Sequence, residues 1–191
     1  MSKSYNKLIS IENLLTAWQE FRLGKSSRLD VMEFEYNLED NLFTLYEELK
    51  KQTYKHNPYH TFHIYDPKHR IISKAMVKDR IVQHLIFKEL YNIFDLSFIY
   101  HSYSSRLNKG THLAVQNLAK ATRILSRNYT KPVFVLKCDI KKFFDSVFHQ
   151  KLLAIIKRKI KNNQTLLLVE EIINSFPSGG GAIKEEYLLA M

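Results

Sequence analysis

Pro132-Val133-Phe134-Val135-Leu136-Lys137-Cys138-Asp139-Ile140-Lys141-Lys142-Phe143-Phe144-Asp145 holds the densest information in this chain. Its apolar run is short, β-branched or aromatic, and opened by a proline, which predicts a buried strand rather than a helix. Cys138 then reads as a small buried residue, and Asp139 falls at the C-terminal end of the strand. A strand end is a rigid support, and a hard cation such as Mg²⁺ needs anionic oxygens on such a support. One carboxylate does not make a metal site, however. Asp139 can equally terminate the strand and Asp145 start the next helix, and by spacing alone this plainer reading is the favoured one.

Downstream, Leu152, Leu153, Ile155, Ile156 and Ile160 recur at helical spacing, and a second helical stretch runs from Leu166 to Ile173. Pro177-Ser178-Gly179-Gly180-Gly181 breaks the pattern; it lacks the lysine and preceding strand of a phosphate loop and reads as a linker. Upstream, Thr111 to Leu125 and Asp79 to Ile93 are helical by the same test. Between them, Tyr100 to Gly110 interleaves Arg106 and Lys109 with Tyr100, His101 and Tyr103, a mixture that can stack on bases while meeting phosphates.

Before these helices the period shortens. Thr61 to Asp66 and Arg70 to Lys74 are rich in β-formers and flank Asp66-Pro67-Lys68-His69, which predicts a hairpin. Lys68, Arg70, Lys74, Lys78 and Arg80 place cations on and just after it. Arg offers phosphate a two-pronged fork and Lys a compact charge, so this could be a triphosphate grip or simply a solvated basic face. His56, His60 and His63 lack the cysteine or acidic companions that a zinc site would need. Further upstream, Ser10 is placed to cap a helix carrying Ile11, Leu14, Leu15, Trp18 and Phe21, which Gly24 ends. Asp30 is placed to cap a second, whose apolar face is Val31, Phe34, Leu38, Leu42, Leu45 and Leu49.

The 191 residues are 45% hydrophobic, enough for one core, and 29 Lys and Arg against 19 Asp and Glu leave a formal charge of +10. Nucleic acid is the partner class such a charge attracts, although many basic proteins bind none. A single cysteine excludes an internal disulfide and points to a reducing compartment. No stretch approaches a membrane span and Met1 to Ser10 has no apolar signal core, so the expected location is the cytoplasm, away from membranes.

Taken in order, the segments resemble the bacterial reverse transcriptases related to group II intron, retron and diversity-generating retroelement enzymes. Asp66-Pro67-Lys68-His69-Arg70-Ile71-Ile72 and then Lys78-Asp79-Arg80-Ile81-Val82-Gln83-His84 are similar to the family's fingers hairpin and the helix after it. Ser102-Tyr103-Ser104-Ser105-Arg106 and Lys109-Gly110-Thr111-His112 resemble its next block, and Asp139 to Val147 with His149 the palm motif of the first catalytic aspartate. The likeness covers roughly 37–176.

The resemblance implies RNA-directed DNA synthesis, in which two Mg²⁺ ions assist in-line attack of a primer 3′ hydroxyl on an incoming deoxynucleotide. Asp139 would then be catalytic and a metal ligand, joined by the backbone carbonyl of Ile140. Phe144 would exclude a 2′ hydroxyl, Lys68 and Arg70 would hold the triphosphate, and Arg80, Arg106 and Lys109 would contact template or primer. The implied partners are an RNA template, a DNA or RNA primer and deoxynucleoside triphosphates, with the oligomeric state unspecified. Later family segments, including an aromatic-x-Asp-Asp turn, have no counterpart here, so the chain alone is expected not to polymerise. An RNA-binding remnant or subunit is the alternative, and an interaction protein with incidental charge a third.

The expected architecture is α/β, a truncated right-hand polymerase with fingers and partial palm preceded by N-terminal helices. Its expected parts are helices over 1–55, fingers over 56–131, the leading palm over 132–176, and a Gly-rich break with an unrelated tail over 177–191. An incomplete palm should leave apolar surface exposed from Val133 onward and on the last helices.

Overall fold

The computed structural model describes residues 4–141 and 143–176; the glycine-rich break and tail lie outside them. Two compact units are present, one drawn from 1–91 and 144–191 and the other from 92–143.

The first unit opens with a short helix α1 (Tyr5–Leu8) and continues into α2 (Ile11–Arg22), whose first turn is capped as expected: Asn13 N donates to Ser10 Oγ at 3.3 Å. Gly24 follows α2 with φ +68°, the left-handed geometry that closes helices at least cost with no Cβ. Leu14, Ala17, Trp18 and Phe21 fall on one stripe of α2 and are all buried. Sequence periodicity runs Val31 to Leu49 together as one helix. The chain instead forms α3 (Leu29–Tyr36) and α4 (Leu38–Lys50), broken at Asn37, whose φ of −117° and ψ of 42° are not helical. Two shorter rods can each turn an apolar face to the core: Trp18 meets Phe34 with ring centroids 5.2 Å apart, while Leu42, Leu45 and Leu49 are buried.

β1 (His60–Ile64) and β2 (Arg70–Lys74) form an antiparallel hairpin in the register His60 with Lys74, Phe62 with Ile72 and Ile64 with Arg70. Side chains alternate between faces, so Phe62 and Ile72 share the half-buried face. α5 (Val77–Phe94) follows at once and buries Val77, Ile81, Val82, Leu85 and Ile86. After α6 (Thr111–Leu125) of the second unit, the first unit resumes with α7 (His149–Lys159) and α8 (Asn163–Ser175), which pack on each other. α8 is tied back to the approach to the hairpin. Glu171 accepts from Lys55 Nζ at 2.8 Å and from the His56 amide at 3.1 Å, and the Tyr59 ring sits edge-on to Phe176 at 5.5 Å.

Beneath the hairpin approach lies a buried polar cluster. The fully buried Asp79 accepts from Tyr54 Oη at 2.7 Å, from the Asn57 amide at 3.2 Å and from Asn57 Nδ2 at 3.1 Å. The His56 imidazole is buried beside it and meets Gln83 Nε2 at 3.1 Å. Burial first, and then the bond to Asp79, push the Tyr54 phenol far above its ordinary pKa. His56 is thus a core histidine.

In the second unit, α6 forms over the expected residues but none of its side chains is buried. Beyond it, Arg127, Asn128 and Tyr129 all have positive φ, a left-handed turn held by Asn128 N to Arg123 O at 2.9 Å and Tyr129 N to Ser126 Oγ at 2.8 Å. The expected strand at Val133 to Leu136 does not form. Among the described residues the sheet has two strands, β1 and β2, and neither pairs with this segment. An unpaired strand leaves its backbone groups and side chains to water, and Phe134 is 94% exposed and Leu136 89%. Cys138, expected inside, is exposed for the same reason.

Candidate nucleic-acid interface

The cations of 68–80 divide by height along the hairpin. At its root, Lys74 Nζ lies 2.8 Å from Asp30 Oδ2, Arg80 pairs with the same carboxylate, and Lys78 Nζ donates to Glu48 at 2.9 Å. Burial raises the Asp30 carboxyl, but hydrogen bonds from Lys74 and Arg80 outweigh it and hold the group below its usual range. The Arg80 side chain is only 16% exposed and its guanidinium lies 5.0 Å from the Phe21 ring centroid. Its geometry is that of a clamp joining α3 and α5 to α2. Lys74 and Lys78 line a groove of about 900 Å³ together with His60, Met76 and Asn57.

At the tip, Lys68 and Arg70 are exposed and engage no carboxylate among the described residues. They are the two cations that the resemblance assigns to a triphosphate, and they lie two positions apart at the hairpin turn. Turn chemistry explains the presentation: Asp66-Pro67-Lys68-His69 reverses the chain and leaves its charged side chains outside.

In the second unit, Arg106 organises the loop before α6. Nε donates to Asp95 Oδ1 at 2.7 Å, Nη1 to the carbonyls of Ile99 and Ser102 at 3.2 and 3.1 Å, and Nη2 to the Asp95 carbonyl at 3.2 Å. Lys109 Nζ donates to the Tyr100 carbonyl at 3.0 Å and sits 3.9 Å from that residue's ring centroid, in a cation–π contact. Asn117 Nδ2 donates to Tyr103 Oη at 2.7 Å, which joins α6 to the same loop. The aromatic and basic interleaving in the sequence is therefore first of all internal architecture. An Arg with five donors is well suited to collecting loose carbonyls, a role that spacing does not separate from phosphate binding.

Asp139 and Ile140 belong to the second unit and both are exposed, whereas Phe144 belongs to the first and opens a single 3-10 turn, Phe144–Ser146. Among the described residues no group of three or more His, Cys, Asp or Glu could hold a metal ion. A two-ion Mg²⁺ centre needs more charge than Asp139 and one carbonyl supply, so the residues in hand do not fit that group by themselves.

No family model matches the chain. Over 98 residues it is 28% identical to an uncharacterized 91 kDa protein in the cob intron of Schizosaccharomyces pombe (strain 972 / ATCC 24843). The match takes in 51% of this chain and 11% of that protein. This chain is thus similar to part of a much longer intron-encoded protein, a relationship compatible with origin in a mobile element. Among the described residues no helix is long and apolar enough to cross a membrane.

Sequence reasoning missed the Asp79 cluster, although the signal was there. Asp79, Val82 and Ile86 are spaced three and four apart, so the acid lies on the apolar stripe of its helix and must find buried donors.

Proposed function

We propose that this chain is the fingers and leading palm portion of an RNA-directed DNA polymerase of a mobile element, and that it does not polymerise alone. The observation that carries this reading is the hairpin of 60–74. It presents Lys68 and Arg70 at an uncovered tip and runs directly into α5, in the order that the motif blocks prescribe. The intron-encoded relative supports the same origin. Arg70 is suited to forked phosphate contact and Lys68 to a point contact, so the tip would neutralise a triphosphate. Asp139 would contribute one carboxylate of a catalytic set whose remaining members come from elsewhere.

The test is to translate the DNA beyond the codon for Ser178 in all three forward frames. An aromatic-x-Asp-Asp segment is expected, and a protein that includes it should extend a primer on RNA and lose that activity with Asp139→Ala. Lack of extension by such a protein, or extension by the 191-residue chain alone, would overturn the reading.

A second reading, RNA binding without turnover, is favoured by the uncovered cations Lys68 and Arg70, which can meet phosphate with no metal centre. It requires RNA affinity that falls steeply with salt, and charge reversal at Lys68 and Arg70 that flattens the dependence.

A further inference from the structure

The two faces of the hairpin differ in chemistry. Phe62, Ile72 and Lys74 are half-buried on one, and Arg70 projects from that same face near the tip. The opposite face carries Thr61, His63, Tyr65, His69, Ile71 and Ser73, and all six are exposed. Here His63 Nδ1 and His69 Nε2 are 2.7 Å apart with their rings only 3° from parallel and their centroids 5.0 Å apart. A nitrogen-to-nitrogen hydrogen bond at that tilt and spacing joins the imidazoles edge to edge in one plane. Tyr65 lies nearly parallel to His69, at 4.8 Å and 19°. Three rings are therefore fixed by one another and by the hairpin register, before any ligand arrives.

We infer that this face is a stacking platform for unpaired nucleobases of single-stranded RNA. Extended flat rings offer a base its preferred π contact, and preorganised rings lose little freedom on binding. The six residues include no carboxylate, so phosphate is not repelled from the face itself. Lys68 in the turn supplies a neighbouring cation, next to the single acid Asp66. An apolar protein partner would find only one aliphatic side chain there, Ile71, among imidazole, phenol and hydroxyl groups. The inference rests on the reading of the chain as a nucleic-acid binder, and not on its having polymerase ancestry. It divides the hairpin's work, with bases on the His63 face and the triphosphate on the Arg70 face.

The test is fluorescence anisotropy of a labelled 12-nucleotide single-stranded RNA, and of the same sequence as a duplex, with the whole 191-residue protein across a salt series. Tyr65→Ala with His69→Ala should weaken single-strand binding about tenfold or more and leave both the duplex affinity and the salt slope in place, since stacking is worth about 1–3 kcal/mol per base. Tyr65→Phe with His69 retained keeps both rings and the His63–His69 bond and should keep the affinity, which separates loss of stacking from loss of folding. Equal losses on strand and duplex, or no loss on the strand, would each overturn the platform. Failure of primer extension in a completed polymerase would leave it standing.

Discussion

At the scale of single residues, the buried acid Asp79 does more for the fold than any of the exposed charges. Replacing it by Ala leaves the Tyr54 hydroxyl and both Asn57 donors without their carboxylate at a buried position, a loss of about 3 kcal/mol. Urea denaturation of Asp79→Ala should show that loss, whereas an unchanged midpoint would mean that water replaces the carboxylate. Asp30 makes a pH prediction. Its folded pKa is depressed by Lys74 and Arg80, so its stabilising effect is complete above the unfolded carboxyl range and fades as pH falls through the folded value. Acid titration monitored by amide exchange in β2 should therefore show loosening only below about pH 4. Asp30→Asn should show the loosened state at neutral pH. The resemblance offers Arg80 and Arg106 as template or primer contacts, and in the fold each also pairs with a carboxylate. Their carboxylate partners, Asp30 and Asp95, lie 50 and 11 positions away, and no local pattern announces such pairings.

Among the elements, those with local determinants were legible. Ser10 with Gly24 framed α2, the Asp66-Pro67 turn placed the hairpin, and α6 began and ended where its period said. The element that failed, Val133 to Leu136, depends on something no local pattern contains, a neighbouring strand. Gly110 allows a sharp test of local determination. It precedes α6 with φ +98° and ψ −178°, and a Cβ built there would meet nothing within 4 Å. Any cost of Gly110→Ala is thus conformational, about 1–3 kcal/mol, and should appear as lost amide protection in the first turn of α6. At Gly24, where φ is +68°, Asn should be accepted more readily than Ala, because Asn visits the left-handed region more easily. Equal effects of Asn and Ala at that position would contradict the argument.

At the scale of the whole molecule, the two units differ in how well they are finished. The first buries Leu14, Leu45, Ile81 and Val169, whereas the second shows Val115, Leu118, Phe134 and Leu136 to solvent. So much uncovered apolar surface should bind an environment-sensitive dye at neutral pH without denaturant, and should drive association as concentration rises. A dark, monodisperse monomer at tens of micromolar by light scattering would show that the surface is covered in solution. The candidate site was legible only in part: its tip cations could be read from composition around a turn, but the ring plane of His63 and His69 exists only once the strands are in register. The ties from Glu171 to Lys55 and His56 have a consequence for synthesis. A ribosome delivers Lys55 long before Glu171, and the intervening 92–143 must emerge first, so the first unit cannot close its interior while the chain is still growing through that insert. Until α8 arrives, the approach to the hairpin around Lys55, His56 and Tyr59 waits without its partners. A chaperone that binds apolar nascent chains should therefore crosslink to Tyr59, whose ring meets Phe176 and whose hydroxyl meets Ser175, on ribosomes stalled before position 160, and release it once α8 has emerged.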